Sequence, residues 1–356
     1  MPYRSLADFL DDYTAPGTLF EPAGDAGVVR CQACAHACRL KPGQRGICKV
    51  RFNRDGELRV PWGYVSGLNA DPIEKKPFSH FLPGATALTF GMLGCNFHCQ
   101  FCQNWVTSQV LRDPASDMAA GSIQALPPRQ LVEVARRTGS RVVASSYNEP
   151  IITAEWAMAL FAPAREAGLR TVMISNGHAS PRALKTLHPL LDGLKVDLKC
   201  MQAESYRRLG GSLQAVLATI QLARELGIWL EVVTLVVPGF NDSSDELWQA
   251  ARFLTSVSPD IPWHVTAYHP AYQEDAPPTP AATLQRAAEI GQEAGLRYVY
   301  AGNLPGRVGS LEDTRCPACG ALLVERTGYR IRQCRLDASG LCPCCGTAIA
   351  GVWSSQ

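Results

Sequence analysis

Between residues 87 and 301, hydrophobic positions form short runs rich in β-branched residues, separated by longer stretches with a helical period. Short β-branched runs predict buried strands, and apolar residues three and four apart predict amphipathic helices. The predicted strands are 87–92, 141–145, 171–175, 193–198, 229–236, 264–267 and 298–301. The predicted helices are 128–137, 152–167, 181–187, 211–226, 246–256 and 281–294. This alternation predicts an α/β fold with parallel strands, forming a barrel or partial barrel.

Polar motifs follow most of the predicted strands. Ser-Ser-Tyr-Asn-Glu-Pro occupies 145–150, Ser-Asn-Gly-His occupies 175–178, and Asp-Leu-Lys-Cys occupies 197–200. Further polar motifs lie at 238–242 and 268–270. Because functional residues of such folds collect at the carboxyl ends of parallel strands, these motifs predict one shared site.

A cysteine hook follows the first strand of this series. Cys95, Cys99 and Cys102 have the spacing C-x3-C-x2-C, and Gly91 and Gly94 let the backbone turn closely before them. Three thiolates on one loop can bind three corners of a four-iron cluster and leave the fourth iron without a protein ligand. A closed zinc site needs a fourth ligand, for which this loop offers only His98.

Two further cysteine modules flank the predicted α/β core. Cys31, Cys34, Cys38 and Cys48 form the first, with His36 as an alternative ligand. Zinc is the preferred interpretation and a second iron-sulfur cluster the competing one, because four-thiolate sites serve both. The C-terminal module repeats C-P-x-C-G, and this pairing is a strong zinc-ribbon signal. Its four ligand positions are Cys316, Cys319, Cys342 and Cys345.

Charge and cysteine usage narrow the classes of function. The formal net charge of the 356-residue chain is +2, which argues against a surface built for duplex nucleic acid. No stretch has the pattern of a signal peptide or a membrane span, and the 14 cysteines group like metal ligands in a reducing compartment. We expect a cytoplasmic protein that binds no membrane.

The hook resembles the signature of the radical S-adenosylmethionine (SAM) enzymes. That resemblance implies a [4Fe-4S] cluster whose open iron chelates SAM, reductive cleavage to a 5′-deoxyadenosyl radical, and hydrogen-atom abstraction from a substrate. It also implies a low-potential electron donor such as flavodoxin or ferredoxin. Polar residues at the strand ends would then contact SAM: Glu149 its ammonium group, Lys199 its carboxylate, with Asn148, Asn176 and Asp197 beside them. The alternative for Asp197 and Lys199 is a structural ion pair at the barrel rim.

A longer set of motifs resembles the radical SAM component of the AmmeMemoRadiSam system, within the branch of the pyruvate formate-lyase activating enzymes. These motifs are the first cysteine module, Asp-Pro-Ile-Glu-Lys-Lys-Pro at 71–77, His-Phe-Leu-Pro-Gly at 80–84, Cys-Gln-Asn-Trp at 102–105, and the ribbon. The resemblance implies a partial (β/α)6-type TIM barrel at 81–304, a metal-binding module and lid at 1–80, and a zinc ribbon at 305–356. It implies Memo-like and Ammecr-domain proteins as partners.

The substrate stays open at this stage, and a protein or a small molecule delivered by partners is preferred. An RNA-modifying enzyme and an activase of a glycyl-radical enzyme are the alternatives. The activase is the weaker guess because Ile174 stands where the best-understood activases place an aspartate near a monovalent cation. Cys200, next to Lys199, is a candidate hydrogen-atom donor, although a lone cysteine is more often inert.

Overall fold

The computed structural model describes residues 5–24 and 26–354, and an eight-stranded sheet forms the centre of that part of the chain. Seven neighbouring strands run parallel, and Gly67–Pro72 lies antiparallel at one edge. Across the sheet the strands are Gly67–Pro72, Thr86–Gly91, Val142–Ser145, Arg170–Ser175, Gly193–Asp197, Trp229–Val236, Trp263–Ala267 and Val299–Gly302. The strands therefore lie side by side in the order in which they occur along the chain, and each crossover places the next strand beside the previous one.

Helices connect the parallel strands. The connecting helices are Pro128–Arg137, Ala154–Glu166, Pro181–Leu187, Leu213–Glu225, Ser244–Val257 and Ala281–Glu293. Serine side chains begin two of them: Ser180 accepts the amide of Ala183, and Ser243 accepts that of Glu246. The seven strands and six helices predicted from the sequence are confirmed with boundaries within two residues. Three shorter helices, Leu6–Asp11, Trp105–Ser108 and Ala203–Arg208, lie outside that pattern.

The central sheet is open at its two edges. In the described residues its outer strands do not pair with each other, so the predicted barrel is confirmed only as an open α/β sheet. Inward side chains of five adjacent strands line one cavity of about 420 Å³; examples are Ile174, Lys195, Val233, His264 and Tyr300.

Small antiparallel sheets build the N-terminal part. One contains Thr14–Pro16, Glu57–Pro61 and Phe52–Arg54, and another contains Phe20–Pro22, Val29–Cys31 and Arg39–Leu40. Tyr64–Val65 pairs with Gln124–Ala125. A buried ion pair joins this part to the core, because the Arg51 guanidinium binds both carboxylate oxygens of Glu155 at 2.7 and 2.8 Å.

The C-terminal part is a three-stranded ribbon made of Thr314–Arg315, Leu322–Thr327 and Arg330–Cys334. It packs under the central sheet, where the buried Arg326 donates to the carbonyl of Ser79 at 2.8 Å. The following tail returns to the same place: Val352 donates to the carbonyl of His80 and accepts from the amide of Leu82, both at 2.7 Å. No helix in the described ranges is long and apolar enough to span a membrane.

Candidate active site

The cysteine hook begins where the strand Thr86–Gly91 ends, and two glycines shape it. A Cβ on Gly91 would lie 2.8 Å from the carbonyl oxygen of Ser146. Gly94 has a φ of +95°, and a Cβ there would lie 2.9 Å from the Val50 side chain and 3.2 Å from the carbonyl of Cys48. The loop therefore fits tightly between the polar motif at 145–150 and the N-terminal module.

The three hook thiols are buried or partly buried, and donors surround them. The amide of Phe97 donates to Cys95 Sγ at 3.3 Å, and the Ser108 hydroxyl lies 3.2 Å from Cys102 Sγ. Burial raises the pKa of Cys99 to about 12, against the opposing effect of the nearby Lys199 ammonium group. Thiols this hard to ionise become thiolates when a metal binds them, and the all-sulfur donor set fits an iron-sulfur cluster.

Glu149 holds two loops together. One of its carboxylate oxygens accepts from the Ser175 hydroxyl at 2.6 Å and the Ile151 amide at 3.0 Å, and the other accepts from the Asn176 amide at 2.7 Å. Burial raises its pKa to about 7, although these donors favour the carboxylate. The predicted contact with the SAM ammonium group stays a prediction, and Glu149 is not among the described residues that line the cavity.

The two asparagines lie beside Glu149 and bind backbone or hook groups. Asn148 Oδ1 accepts the amide of Met92 at 3.1 Å. Asn176 Nδ2 donates to Asn96 Oδ1 at 2.7 Å and lies 4.0 Å from Cys95 Sγ. Both residues therefore fix the hook loop, and any contact with SAM would be additional to that.

Asp197 lies between two lysines on the cavity wall. It pairs with Lys195, and its other oxygen lies 3.4 Å from Lys199 Nζ. Burial opposes the charge of Lys199, but Asp197 and the hook thiols outweigh that effect and raise its pKa. Asp197 and Lys199 line the cavity together with Cys99 and Cys102, so the structure brings the predicted carboxylate partner to the hook.

The cavity extends from the thiols of Cys99 and Cys102 to Tyr300 in the strand Val299–Gly302. The charged run after the edge strand contributes Glu74, Lys75 and Lys76, and the ribbon contributes Arg326 and Tyr329. Asp71 binds Lys75 at 3.0 Å and Lys76 at 3.1 Å, which holds this run in place. Both the charged run and the ribbon therefore form part of the cavity wall, and the lid predicted within residues 1–80 stays a prediction.

Sequence reasoning also missed a histidine on the cavity wall. His264 Nε2 lies 2.7 Å from the fully buried carboxylate of Glu231, and the His264 ring stacks on Tyr300, another lining residue. Glu231 also accepts the amides of Ser79 and His80 at 2.8 and 2.9 Å. The available signal was a single charge inside the apolar strand Trp229–Val236, since such charges are rare without a partner.

Three other polar groups at the strand ends are not among the described residues that line the cavity. Cys200 is 2% exposed, its thiol lies 3.7 Å from the carbonyl of Gln202, and burial raises its pKa to about 12. Tyr268 donates to the carbonyl of Glu274 at 2.8 Å, and His269 binds Gln103. Among the described lining residues Cys200 is absent, so the structure lends no support to its predicted catalytic role.

The ribbon thiols are gathered as a zinc site requires. Cys316 and Cys345 have their sulfurs 3.6 Å apart, and Cys319 and Cys342 have theirs 3.7 Å apart. A tetrahedral zinc with bonds of about 2.3 Å places its sulfurs about 3.8 Å apart. In the described part of the chain, these four form the only group of at least three potential ligands within 4.8 Å of one another.

The comparisons with known proteins agree with this site. The radical SAM superfamily profile matches residues 90–254. The chain is 40% identical over 332 residues to the uncharacterized protein MJ0808 of Methanocaldococcus jannaschii, covering 91% of this chain and 96% of that protein. Residues 90–254 therefore form a domain of the radical SAM superfamily, the chain belongs to the same family as that archaeal protein, and it is an enzyme that uses SAM.

More distant relatives place it near the activating enzymes. It is 25% identical over 198 residues to the pyruvate formate-lyase-activating enzyme of Streptococcus mutans serotype c, covering 52% of this chain and 72% of that enzyme. A crystal structure of a radical SAM methyltransferase from Sphaerobacter thermophilus is 16% identical, with a TM-score of 0.47 over 87% of this chain and 81% of that one.

Proposed function

We propose that this enzyme abstracts a hydrogen atom from a small molecule held in the cavity, as the radical SAM component of the AmmeMemoRadiSam system. The observation that carries the proposal is the continuity of one cavity from Cys99, Cys102 and Lys199 to His264 and Tyr300. When bound at the hook, a [4Fe-4S] cluster supplies the electron that cleaves SAM to a 5′-deoxyadenosyl radical.

The chain's own residues prepare this site. Lys199, kept charged by Asp197, provides a cation for the carboxylate of SAM beside Cys99. The inward faces of five strands, the charged run at 74–76 and the ribbon exclude water from the space beyond. A cavity of about 420 Å³ suits a small substrate or one inserted side chain better than a folded nucleic acid.

The test begins with anaerobic reconstitution and a low-potential donor such as flavodoxin. We expect 5′-deoxyadenosine and methionine from the wild type and none from Cys99→Ala. Cys334→Ala serves as the matched control, because Cys334 is an exposed ribbon cysteine far along the chain from the hook. Absence of SAM cleavage by an enzyme with a full, reduced cluster would falsify the proposal.

The substrate class is then read from deuterium transfer. The enzyme is incubated with perdeuterated cell extract separated into a small-molecule fraction and a macromolecular fraction, and deuterium in 5′-deoxyadenosine is measured. Transfer from the small-molecule fraction supports the proposal. Transfer only from macromolecules contradicts it, and protease or ribonuclease treatment of that fraction separates protein from RNA substrates.

A second candidate, activation of a glycyl-radical enzyme, is favoured by the similarity to two activating enzymes, of Streptococcus mutans and Desulfovibrio desulfuricans. Ile174 lines the cavity as an apolar side chain and gives no ligand for a monovalent cation. Deuterium transfer from a protein fraction, with a glycyl radical detected by electron paramagnetic resonance, would favour this candidate.

A further inference from the structure

The structure contains two four-cysteine sets that differ in spacing. The ribbon sulfurs lie within 4.8 Å of one another, whereas no three of Cys31, Cys34, Cys38 and Cys48 meet that limit among the described residues. The hook thiols do not meet it either. The sulfur atoms of the N-terminal set are therefore spaced more widely than those of the ribbon, as the hook sulfurs also are.

These four thiols nevertheless converge on one interior space. Cys31, Cys34 and Cys48 are buried, and Cys31 lies within electrostatic range of the other three. A Cβ on Gly46 would lie 3.7 Å from Cys38 Sγ and 3.8 Å from Cys48 Sγ, so the missing side chain leaves room between them. Backbone groups of Ile47 and Val50 hydrogen-bond to Cys38 and Cys48.

His36 is occupied elsewhere. Its Nε2 lies 3.3 Å from the carbonyl of Asn96, and its ring packs on His178 with centroids 4.6 Å apart. The ligand set is therefore all sulfur. One zinc ion holds four thiolates about 3.8 Å apart, while a four-iron cube binds each thiolate at a different corner and needs a wider set.

Asn96 provides an independent observation. It is fully buried, and its Nδ2 group has no hydrogen-bond acceptor. The same side chain interacts with the Cys34 thiol, and its Oδ1 lies 3.9 Å from Cys95 Sγ. An amide donor that lies beside the Cys34 sulfur and has no oxygen acceptor is suited to an iron-sulfur centre, whose sulfurs accept hydrogen bonds.

We infer that Cys31, Cys34, Cys38 and Cys48 hold a second [4Fe-4S] cluster, separated from the hook by Asn96. This replaces the zinc preferred from the spacing of the cysteines alone. The wide thiol set, the space at Gly46 and the free amide of Asn96 each fit this cluster.

The test uses the full chain with Cys95, Cys99 and Cys102 changed to Ala, reconstituted anaerobically. We expect about four irons and four sulfides, about one zinc from the ribbon, and an electron paramagnetic resonance signal after reduction. A variant without iron overturns the inference, whether it holds one zinc or two. This readout needs no SAM cleavage, so it is independent of the proposed function.

Two further measurements locate the cluster. In the fully reduced wild type, we expect magnetic interaction that broadens the signals of both centres, because Asn96 contacts Cys34 and Cys95. In the triple variant, adding Asn96→Ala should lower the reduction potential, because a hydrogen bond to a cluster sulfur stabilises the reduced state. An unchanged potential and unbroadened signals would contradict the assigned position.

Discussion

Single residues decide how closely the hook approaches its neighbours. Gly94 combines a left-handed φ of +95° with backbone and side-chain atoms 2.9 to 3.2 Å from the position of a Cβ. An L-residue there meets both conformational strain and crowding. The N-terminal module, which supplies Val50 and Cys48, thus shapes the loop that carries the hook cysteines.

We predict that Gly94→Ala lowers the iron content of the hook and the melting temperature. Left-handed backbone costs a non-glycine residue about 1–2 kcal/mol, and the contacts with Val50 and Cys48 add to this. Gly239→Ala is the matched control, because Gly239 has a φ of +75° with open space around its Cβ position. Equal losses of iron in both variants would show that crowding at Gly94 is unimportant.

A second prediction concerns Lys199. Lys199→Met should weaken SAM binding to the reconstituted enzyme at least about tenfold, since a charge-assisted hydrogen bond contributes about 1.5–3 kcal/mol. Isothermal titration under anaerobic conditions measures the dissociation constant. Lys185→Met, at an exposed position in the helix Pro181–Leu187, should leave it unchanged. Unaltered affinity in Lys199→Met would assign the SAM carboxylate to another group.

At the scale of elements, the sequence predicted the regular part of the fold well. Period and β-branching identify the parallel strands because both of their faces are buried, which leaves continuous apolar runs. The edge strand Gly67–Pro72 was missed because none of its six residues is buried, and Asn69 and Asp71 interrupt its apolar pattern. It pairs antiparallel with Thr86–Gly91, Gly67 opposite Gly91 and Pro72 opposite Thr86, so the paired residues lie 14 to 24 positions apart in the chain.

The site was predictable only where motifs recur at strand ends. Asp197 and Lys199 could be found that way, and both line the cavity. Lys195, Glu231 and His264 lie inside strands, so only the pairing of those strands reveals that they are neighbours. Cys200 was a candidate hydrogen-atom donor because it follows Lys199 in sequence, but its thiol lies against the carbonyl of Gln202.

The link between the N-terminal part and the helix Ala154–Glu166 gives a third prediction. Arg51→Leu leaves the buried Glu155 carboxylate without its cation, which should destabilise the protein by about 3–5 kcal/mol. Thermal unfolding measures this effect, and limited proteolysis should show release of residues near Thr18 and Leu19, whose amides also bind Glu155. Arg286→Ala breaks only two exposed pairs, with Glu289 and Glu293, and should cost under about 1 kcal/mol.

At the scale of the whole molecule, one histidine joins three separate parts of the chain. His80 lies under the sheet, with Nδ1 2.6 Å from the carbonyl of Ala350 and Nε2 2.6 Å from the hydroxyl of Tyr300. Burial lowers its pKa from 6.5 to about 4, so the ring is neutral in the folded protein at neutral pH.

The fourth prediction is that His80 makes the folded protein less stable at acidic pH. Below pH 6.5 His80 gains a proton in the unfolded chain, whereas in the folded chain it gains that proton only near pH 4. The contribution of neutral His80 to the free energy of unfolding is therefore complete above pH 6.5 and decreases as the pH falls from 6.5 to 4. The loss reaches about 3 kcal/mol. Unfolding free energies measured across this range should depend on pH less steeply in His80→Gln than in the wild type. His188→Gln should keep the wild-type slope; identical slopes for all three would exclude His80 as the cause.

The backbone pairing of Val352 with His80 and Leu82 has a consequence for biosynthesis. On the ribosome, the strands of the central sheet emerge long before Val352, so the underside of the sheet remains uncovered while the rest of the chain is made. Until the tail docks, a chain whose Gly302 has left the exit tunnel exposes Phe81 and Tyr300, which the finished protein buries completely or almost so. Chaperone binding should therefore be strongest at that stage and end when the tail docks.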